Sequence, residues 1–196
     1  MNQVNALGEQ FRRQDLETLL GEGHELASHT FSHVSSRSIS SSRFKIEVER
    51  GRRTIEELAG QRDSGNFAFP FGEVTFQAKR AIGADVASIR GIWPGVNGPE
   101  VDLNLLRANS LYGDRSRWAQ VQNLILENEA RQSWLIFYTH DVRPGPSRYG
   151  CTPELLESAV SFASERGARI LTVAEVVAEL ACPSNGAESF SAVMSQ

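Results

Sequence analysis

The sequence predicts an α/β fold in which parallel strands alternate with helices. Short strand-like segments alternate with amphipathic segments along the chain, and this order implies parallel pairing through right-handed crossovers. Residues 134–139 form a nearly continuous apolar run, as expected for a strand that is buried on both faces. About six strand–helix units are visible, fewer than the eight of a common closed (β/α) barrel. The alternatives are a smaller barrel, an open sheet, or a barrel with part removed.

In the first half of the chain, glycine and proline mark the ends of the predicted elements. Gly21 and Gly23 end the first helix, and Pro70 with Gly72 stops the second strand. The longest helix is predicted where apolar residues recur at helical spacing among charged ones. The elements, in chain order, are a helix at 14–20, a strand at 24–28, a helix at 43–59, a strand at 66–69, a helix at 74–82 and a strand at 85–89.

In the second half, a long loop rich in proline and glycine covers residues 94–99. Thr152 begins a helix that has Pro153 at its first position. The elements are a strand at 105–111, a helix at 115–131, a strand at 134–139, a helix at 152–166, a strand at 169–172 and a helix at 173–180. We expect one domain over residues 1–182 and a flexible tail over 183–196, where no periodicity is visible.

Composition excludes several classes of function. The 196 residues are 40% apolar and 22% charged, which is typical of a globular protein, and no apolar run is long enough for a membrane span. The net charge of −4 argues against a nucleic-acid partner. Cys151 and Cys182 are too few for a disulfide framework, and unpaired thiols are favoured. The N-terminus has no secretion signal, so the chain as given is predicted to be cytoplasmic. It would be secreted or in the cell envelope if a signal is missing.

Polar residues follow the predicted strands, where α/β folds place their active sites. His29 and His33 follow the first strand and lie four residues apart, so on a helical turn both imidazoles would face one side and share a metal ion. The alternative is a pair of polar loop histidines. His140 ends the buried strand, and an acid–base role is weighed equally there with a structural one. Asp141 follows it directly.

Three stretches, in this order, resemble motifs of the polysaccharide deacetylases, the NodB-type domain of carbohydrate esterase family four. Residues 23–33 resemble the second motif, His-Ser/Thr-x-x-His. Residues 67–72, Phe-Ala-Phe-Pro-Phe-Gly, resemble the third motif, Arg-x-Pro-Tyr/Phe-Gly. Residues 138–141, Tyr-Thr-His-Asp, resemble the fifth motif, Leu-x-His. The resemblance covers roughly residues 5–180.

The resemblance implies a deformed (β/α) barrel and a divalent metal, usually zinc, held by an aspartate and two histidines. The histidines correspond to His29 and His33. It also implies hydrolysis of N-acetyl or O-acetyl groups on an acetylated polysaccharide or oligosaccharide. The oxyanion would be held by the metal and the Phe71 N–H, and protonated His140 would donate to the leaving amine.

Further candidate residues belong to the substrate groove. Pro70 and Tyr138 lie in the third and fifth motifs, and Tyr138 stands where a leucine usually walls the acetyl pocket. Trp93 is either a stacking platform for a pyranose or a plug of the barrel mouth. Asp102 either caps a turn, which is favoured, or tunes His140.

Two departures from the family pattern concern catalysis. The opening Thr-Phe-Asp-Asp motif, which supplies the base and the third metal ligand, is absent, and Ala68 stands where many members have arginine. We therefore expect a barrel incomplete by its first strand–helix unit, with Val4–Ala6 ending the second strand. Such a chain should be marginally stable or form a homodimer through the open sheet edge. The functional alternatives are an inactive carbohydrate-binding relative and a hydrolase of small non-sugar amides.

Overall fold

The computed structural model describes residues 11–60 and 64–181 and confirms the α/β class. The helices are α1 (Arg13–Gly21), α2 (Ser41–Ala59), α3 (Phe76–Ile82), α4 (Trp118–Arg131), α5 (Pro153–Glu165) and α6 (Val173–Ala181). The strands are β1 (Asn66–Ala68), β2 (Ser88–Arg90), β3 (Asn109–Ser110) and β4 (Phe137–Tyr138). Single 3₁₀ turns cover Pro70–Gly72 and Arg115–Arg117.

The chain divides into two compact units. The first contains the described residues up to Gly91, together with Asp102–Leu106 and Thr172–Ala178. The second contains Ile92–Val101, Arg107–Leu171 and the described residues from Glu179 onwards.

In the first unit, four extended segments pair in parallel. β1 pairs with β2 so that Phe67 lies opposite Ile89. Ser28 forms a parallel bridge with Phe67, and Arg90 forms one with Leu106. Because the segments are parallel, the loops after Ser28 and after β1 leave this small sheet at the same edge.

Helix α2 covers the sheet of the first unit with an aromatic core. Phe44 is fully buried and stacks on Phe69, with ring centroids 5.3 Å apart, while Phe67 meets both rings edge to face. The helix begins at its N-cap Ser40, whose side chain accepts from the Arg43 N–H. The core consists of Phe44, Val48, Phe67, Phe69, Ala78, Ile82 and Ile89.

In the second unit, β3 pairs in parallel with β4, and Asn109 lies opposite Phe137. Helices α4 and α5 pack together through an edge-to-face contact of Trp118 with Phe162. Cys151 is a free, buried thiol in this core, as predicted. The core residues are Leu111, Val121, Ile125, Cys151, Leu155 and Ala159.

One predicted strand, 169–172, is wrong, and three others are shortened: 105–111 to β3, 134–139 to β4, and 24–28 to a single bridge. The segment 24–28 pairs at Ser28 alone. The segment 169–172 forms no strand, because no neighbouring strand pairs with it and Ile170 is 58% exposed. Arg169 instead makes a two-fold ion pair with Glu179.

Some sequence predictions fall beyond the described part of the chain. The segment Val4–Ala6, Cys182 and the tail 183–196 lie outside the described residues. Within residues 11–60 and 64–181, none of the helices is long and apolar enough to cross a membrane.

Candidate active site

The His29 ring is fixed by a hydrogen bond to β1. His29 directly follows Ser28, which pairs with Phe67, and its Nδ1 lies 2.7 Å from the carbonyl oxygen of Ala68. A carbonyl oxygen only accepts, so Nδ1 carries the proton in this bond. The neutral ring then presents the lone pair of Nε2, the arrangement that metal-ligating histidines commonly use.

The His33 ring lies beside that of His29, with ring centroids 4.9 Å apart. The two imidazoles are therefore neighbours and are candidate ligands of one metal ion. The predicted helical turn is wrong, however. Residues 29–33 form a loop in which Thr30 and His33 have φ angles of 64° and 52°, in the left-handed region.

Helix α2 binds the loop of residues 29–33 through two hydrogen bonds to Glu47. The Glu47 carbonyl oxygen accepts from the Phe31 N–H at 3.0 Å, and its carboxylate accepts from the Ser32 N–H at 3.1 Å. Glu47 is buried, with only 4% of its surface exposed. A Cβ on Gly51 would lie 2.6 Å from Ser28 Oγ and 3.1 Å from the Thr30 carbonyl carbon, so the helix approaches as closely as glycine permits. Sequence reasoning missed both residues, although an acidic residue among the apolar positions of a helix was a usable signal.

The turn after β1 places Phe71 against His33. Pro70 is buried at the start of this turn, whereas the Phe71 side chain is 60% exposed. The Phe71 ring centroid lies 4.6 Å from that of His33, edge to face. Phe71 has a φ of 59°, which is unusual for a bulky residue.

Serine side chains tie the histidine loop to the loop after β1. The Ser36 hydroxyl donates to the Glu73 carbonyl oxygen at 2.6 Å, and the Ser35 hydroxyl donates to the Glu73 carboxylate. The two histidines and Phe71 therefore belong to one hydrogen-bonded assembly of neighbouring loops.

The donor set in the described part of the chain comprises two imidazoles. Over residues 11–60 and 64–181, no group of three or more histidine, cysteine, aspartate or glutamate side chains is arranged to hold a metal ion. His29 and His33 are candidates for two positions of a zinc site, and a catalytic zinc requires a third protein ligand.

His140 belongs to the second unit, where it follows β4. Its backbone N–H and its ring Nδ1 both face the Tyr149 carbonyl oxygen, at 3.1 and 3.3 Å. The exposed imidazole lies 5.4 Å from the Tyr149 ring and 6.2 Å from the Tyr112 ring, between centroids. Tyr138 is half-buried and meets Tyr112 edge to face.

Asp141 organises its own loop. Ser147 donates to the carboxylate through its hydroxyl at 2.5 Å and its backbone N–H at 3.0 Å, and Arg143 Nε lies 3.0 Å away. These hydrogen bonds, and then the nearby Arg143 charge, lower the pKa of Asp141. The ring nitrogen of His140 is instead oriented by the carbonyl of Tyr149.

The remaining candidates have separate surroundings. Asp102 lies in the first unit, where it accepts from the Asn104 N–H and pairs with Lys79, in keeping with a capping role. Trp93 belongs to the second unit and is 62% exposed, as a stacking platform requires. The structure thus brings His29, His33 and Phe71 together in the first unit, whereas His140, Tyr138 and Trp93 belong to the second.

Comparison with known proteins gives a family match for the first part of the chain. Residues 3–86 match the family model of polysaccharide deacetylases. This match covers the second and third motifs and confirms the resemblance seen in the sequence. A search of the curated proteins found no match.

Solved structures share the fold. The CE4 domain of a multidomain xylanase from the hindgut metagenome of Trinervitermes trinervoides has a TM-score of 0.58 at 18% identity, covering 89% of this chain and 73% of that one. A CE4 family pseudoenzyme from Bacillus anthracis has a TM-score of 0.52 at 13% identity, covering 84% of this chain. A mutant of that pseudoenzyme with restored enzymatic activity has a TM-score of 0.53, also at 13% identity and 84% coverage. The chain spans about half the length of the pseudoenzyme, 50% and 52% in the two structures.

Proposed function

We propose that the protein is a metal-dependent hydrolase, a proposal supported by the match of residues 3–86 to the family model of polysaccharide deacetylases. It removes N-acetyl or O-acetyl groups from a polysaccharide or oligosaccharide. The observation that carries the proposal is the pair of adjacent imidazoles, His29 and His33, beside the Phe71 turn.

The chain's own residues would divide the work as follows. A divalent metal, with zinc the first choice, would be held by the two histidines and would supply Lewis-acid activation of the acetyl carbonyl and of a water molecule. The hydrogen bond from His29 Nδ1 to Ala68 keeps Nε2 free of a proton for that role. The Phe71 N–H would stabilise the oxyanion, and His140, oriented by the Tyr149 carbonyl, would protonate the leaving group.

The substrate groove completes the proposal. Trp93 would offer its exposed ring to a pyranose, and Tyr138 would wall the acetyl pocket. Within the first unit, Pro70, which is buried, would fix the turn that carries Phe71.

A second candidate function is carbohydrate binding without turnover. One observation favours it: the described residues offer two clustered metal ligands rather than three.

One experiment separates the two functions. Zinc content, zinc affinity and acetate release from an N-acetylglucosamine oligomer are measured on the purified chain and on His29→Ala, His33→Ala and His140→Ala. The matched control is His24→Ala, since this exposed histidine of the same unit pairs with Glu22, away from the other rings.

A hydrolase predicts stoichiometric zinc that is lost in His29→Ala and His33→Ala, with acetate release abolished. His140→Ala should keep the metal and lose turnover, and His24→Ala should change neither. Oligomer binding without acetate release would favour the second function. A parent chain that binds no zinc and releases no acetate would refute the hydrolase.

A further inference from the structure

We propose that Glu47 is a positioning residue that holds the His29–His33 loop in the conformation that brings the two imidazoles together. The role of the loop in metal binding rests on the proposed function, whereas its conformation can be tested without metal. Glu47 lies on α2, fifteen residues from Ser32, and belongs to none of the three motifs in the sequence.

The first observation is the burial and bonding of the carboxylate. A buried carboxylate is retained only where hydrogen bonds or charges compensate its lost hydration. Glu47 has two such partners, the Ser32 N–H at 3.1 Å on Oε2 and the Arg50 guanidinium at 3.5 Å on Oε1. Its side chain therefore connects the middle of the histidine loop to the helix.

The second observation is that the loop is strained on both sides of this attachment. Thr30 and His33 both lie in the left-handed region, one before and one after the residues that α2 binds. Non-glycine residues keep such conformations where the surrounding structure enforces them. The Phe31 N–H donates to the Glu47 main-chain carbonyl and the Ser32 N–H to its carboxylate, and these bonds act together with the bond from the Val34 N–H to Thr30 Oγ1. The Glu47 carboxylate thus holds the middle of the loop, between the two left-handed residues.

Arg50 contacts both Glu47 and the histidine loop. Its guanidinium lies 4.0 Å from the centroid of the half-exposed Phe31 ring while it pairs with Glu47. One turn of α2 thus engages Phe31 through its backbone and ring and Ser32 through its N–H.

The test compares Glu47→Ala with Glu47→Gln. Glutamine keeps an acceptor oxygen of the same reach, whereas alanine removes it. The control is Glu57→Ala, an exposed acid on the same helix. Two readouts are taken: amide hydrogen exchange of Ser32 in the metal-free chain, with the Phe67 amide of β1 as internal reference, and zinc affinity by competition with a chromophoric chelator.

Glu47→Ala should speed Ser32 exchange at least about 10-fold with Phe67 exchange unchanged. It should weaken zinc binding by about 10–100-fold, the loss typical when groups that orient metal ligands are removed. Glu47→Gln should keep most of the Ser32 protection and most of the zinc affinity, and Glu57→Ala should change neither quantity. A second route leaves Glu47 intact: Gly51→Ala pushes α2 away from Ser28 and Thr30, and should likewise expose Ser32 and weaken zinc binding.

Two results would overturn the proposal. One is unchanged Ser32 exchange in a folded Glu47→Ala variant. The other is a Glu47→Gln variant in which the Ser32 amide loses as much protection as in Glu47→Ala while the Phe67 amide stays protected. If Glu47→Ala fails to fold, Glu47→Gln and Gly51→Ala decide in the same way. A parent chain that binds no zinc refutes the proposed function, and the exchange of Ser32 then decides on Glu47 independently.

Discussion

The left-handed backbone at Phe71 allows a sharp test of the strain in the candidate site. Its φ of 59° costs a residue with a Cβ about 1–2 kcal/mol, and glycine escapes this cost. Glycine loses about 0.4–1 kcal/mol through the entropy of the unfolded chain. Both Phe71→Ala and Phe71→Gly remove the ring contact with His33, so their difference isolates the backbone. We expect Phe71→Gly to be the more stable of the two by about 0.5–1 kcal/mol.

The matched control is Arg53, an exposed residue in the interior of α2 in the same unit. There the order should reverse, and Arg53→Gly should be less stable than Arg53→Ala by about 0.8–1 kcal/mol. Urea unfolding followed by circular dichroism measures all four variants. With m-values of about 1–3 kcal/mol/M, a difference of 1 kcal/mol moves the midpoint by about 0.3–1 M. Alanine equal to or better than glycine at position 71 would refute the strain at this turn.

Three further predictions concern stability. Phe44→Ala should lower the free energy of unfolding by about 3–5 kcal/mol, because the ring is fully buried against two others; a loss below 1 kcal/mol in urea unfolding would contradict the packing. Thr152→Ala removes the oxygen that accepts from the Leu155 N–H and should cost about 1 kcal/mol, while Thr152→Ser should cost little by the same measurement. The pKa of Asp141 is lowered in the folded state, so its ionised carboxylate stabilises the fold. This stabilisation is complete above the unfolded pKa of about 3.9 and is lost as the pH falls through the lower folded pKa. Ser147→Ala should therefore lower the melting temperature at pH 6 more than at pH 2, and an equal loss at both would argue against this linkage.

The sequence predicted the helices well, since their signals are local. The apolar period placed the helix at 43–59, within two residues of α2, and a proline at the first helical position placed α5. Strand pairing is not local, so the segment 169–172 was mistaken for a strand. Its composition suits a strand, but whether a neighbour lies beside it depends on the whole fold.

The proximity of the two histidine rings was expected from their spacing, but the structure achieves it in a different way. The spacing of His29 and His33 suggested adjacent rings through a helical turn, whereas the rings meet because a strained loop folds back. Glu47 was not found: its place among the apolar positions of α2 was a signal, but its partner in the histidine loop is the Ser32 N–H, a backbone group with no residue type to read. The roles of His29, His33, Phe71 and His140 in binding and catalysis stay predictions.

The buried thiol of Cys151 makes the second unit measurable by itself. The side chain is fully enclosed in the core beside Leu155, so an alkylating reagent reaches the sulfur only when this unit opens. In a Cys182→Ser background the labelling rate then reports that opening, slowed about tenfold for every 1.4 kcal/mol needed. Changes made at His29 or Glu47 should leave this rate unaltered unless the two units unfold together. The labelling rate of Cys151 therefore shows whether the two units unfold together or separately.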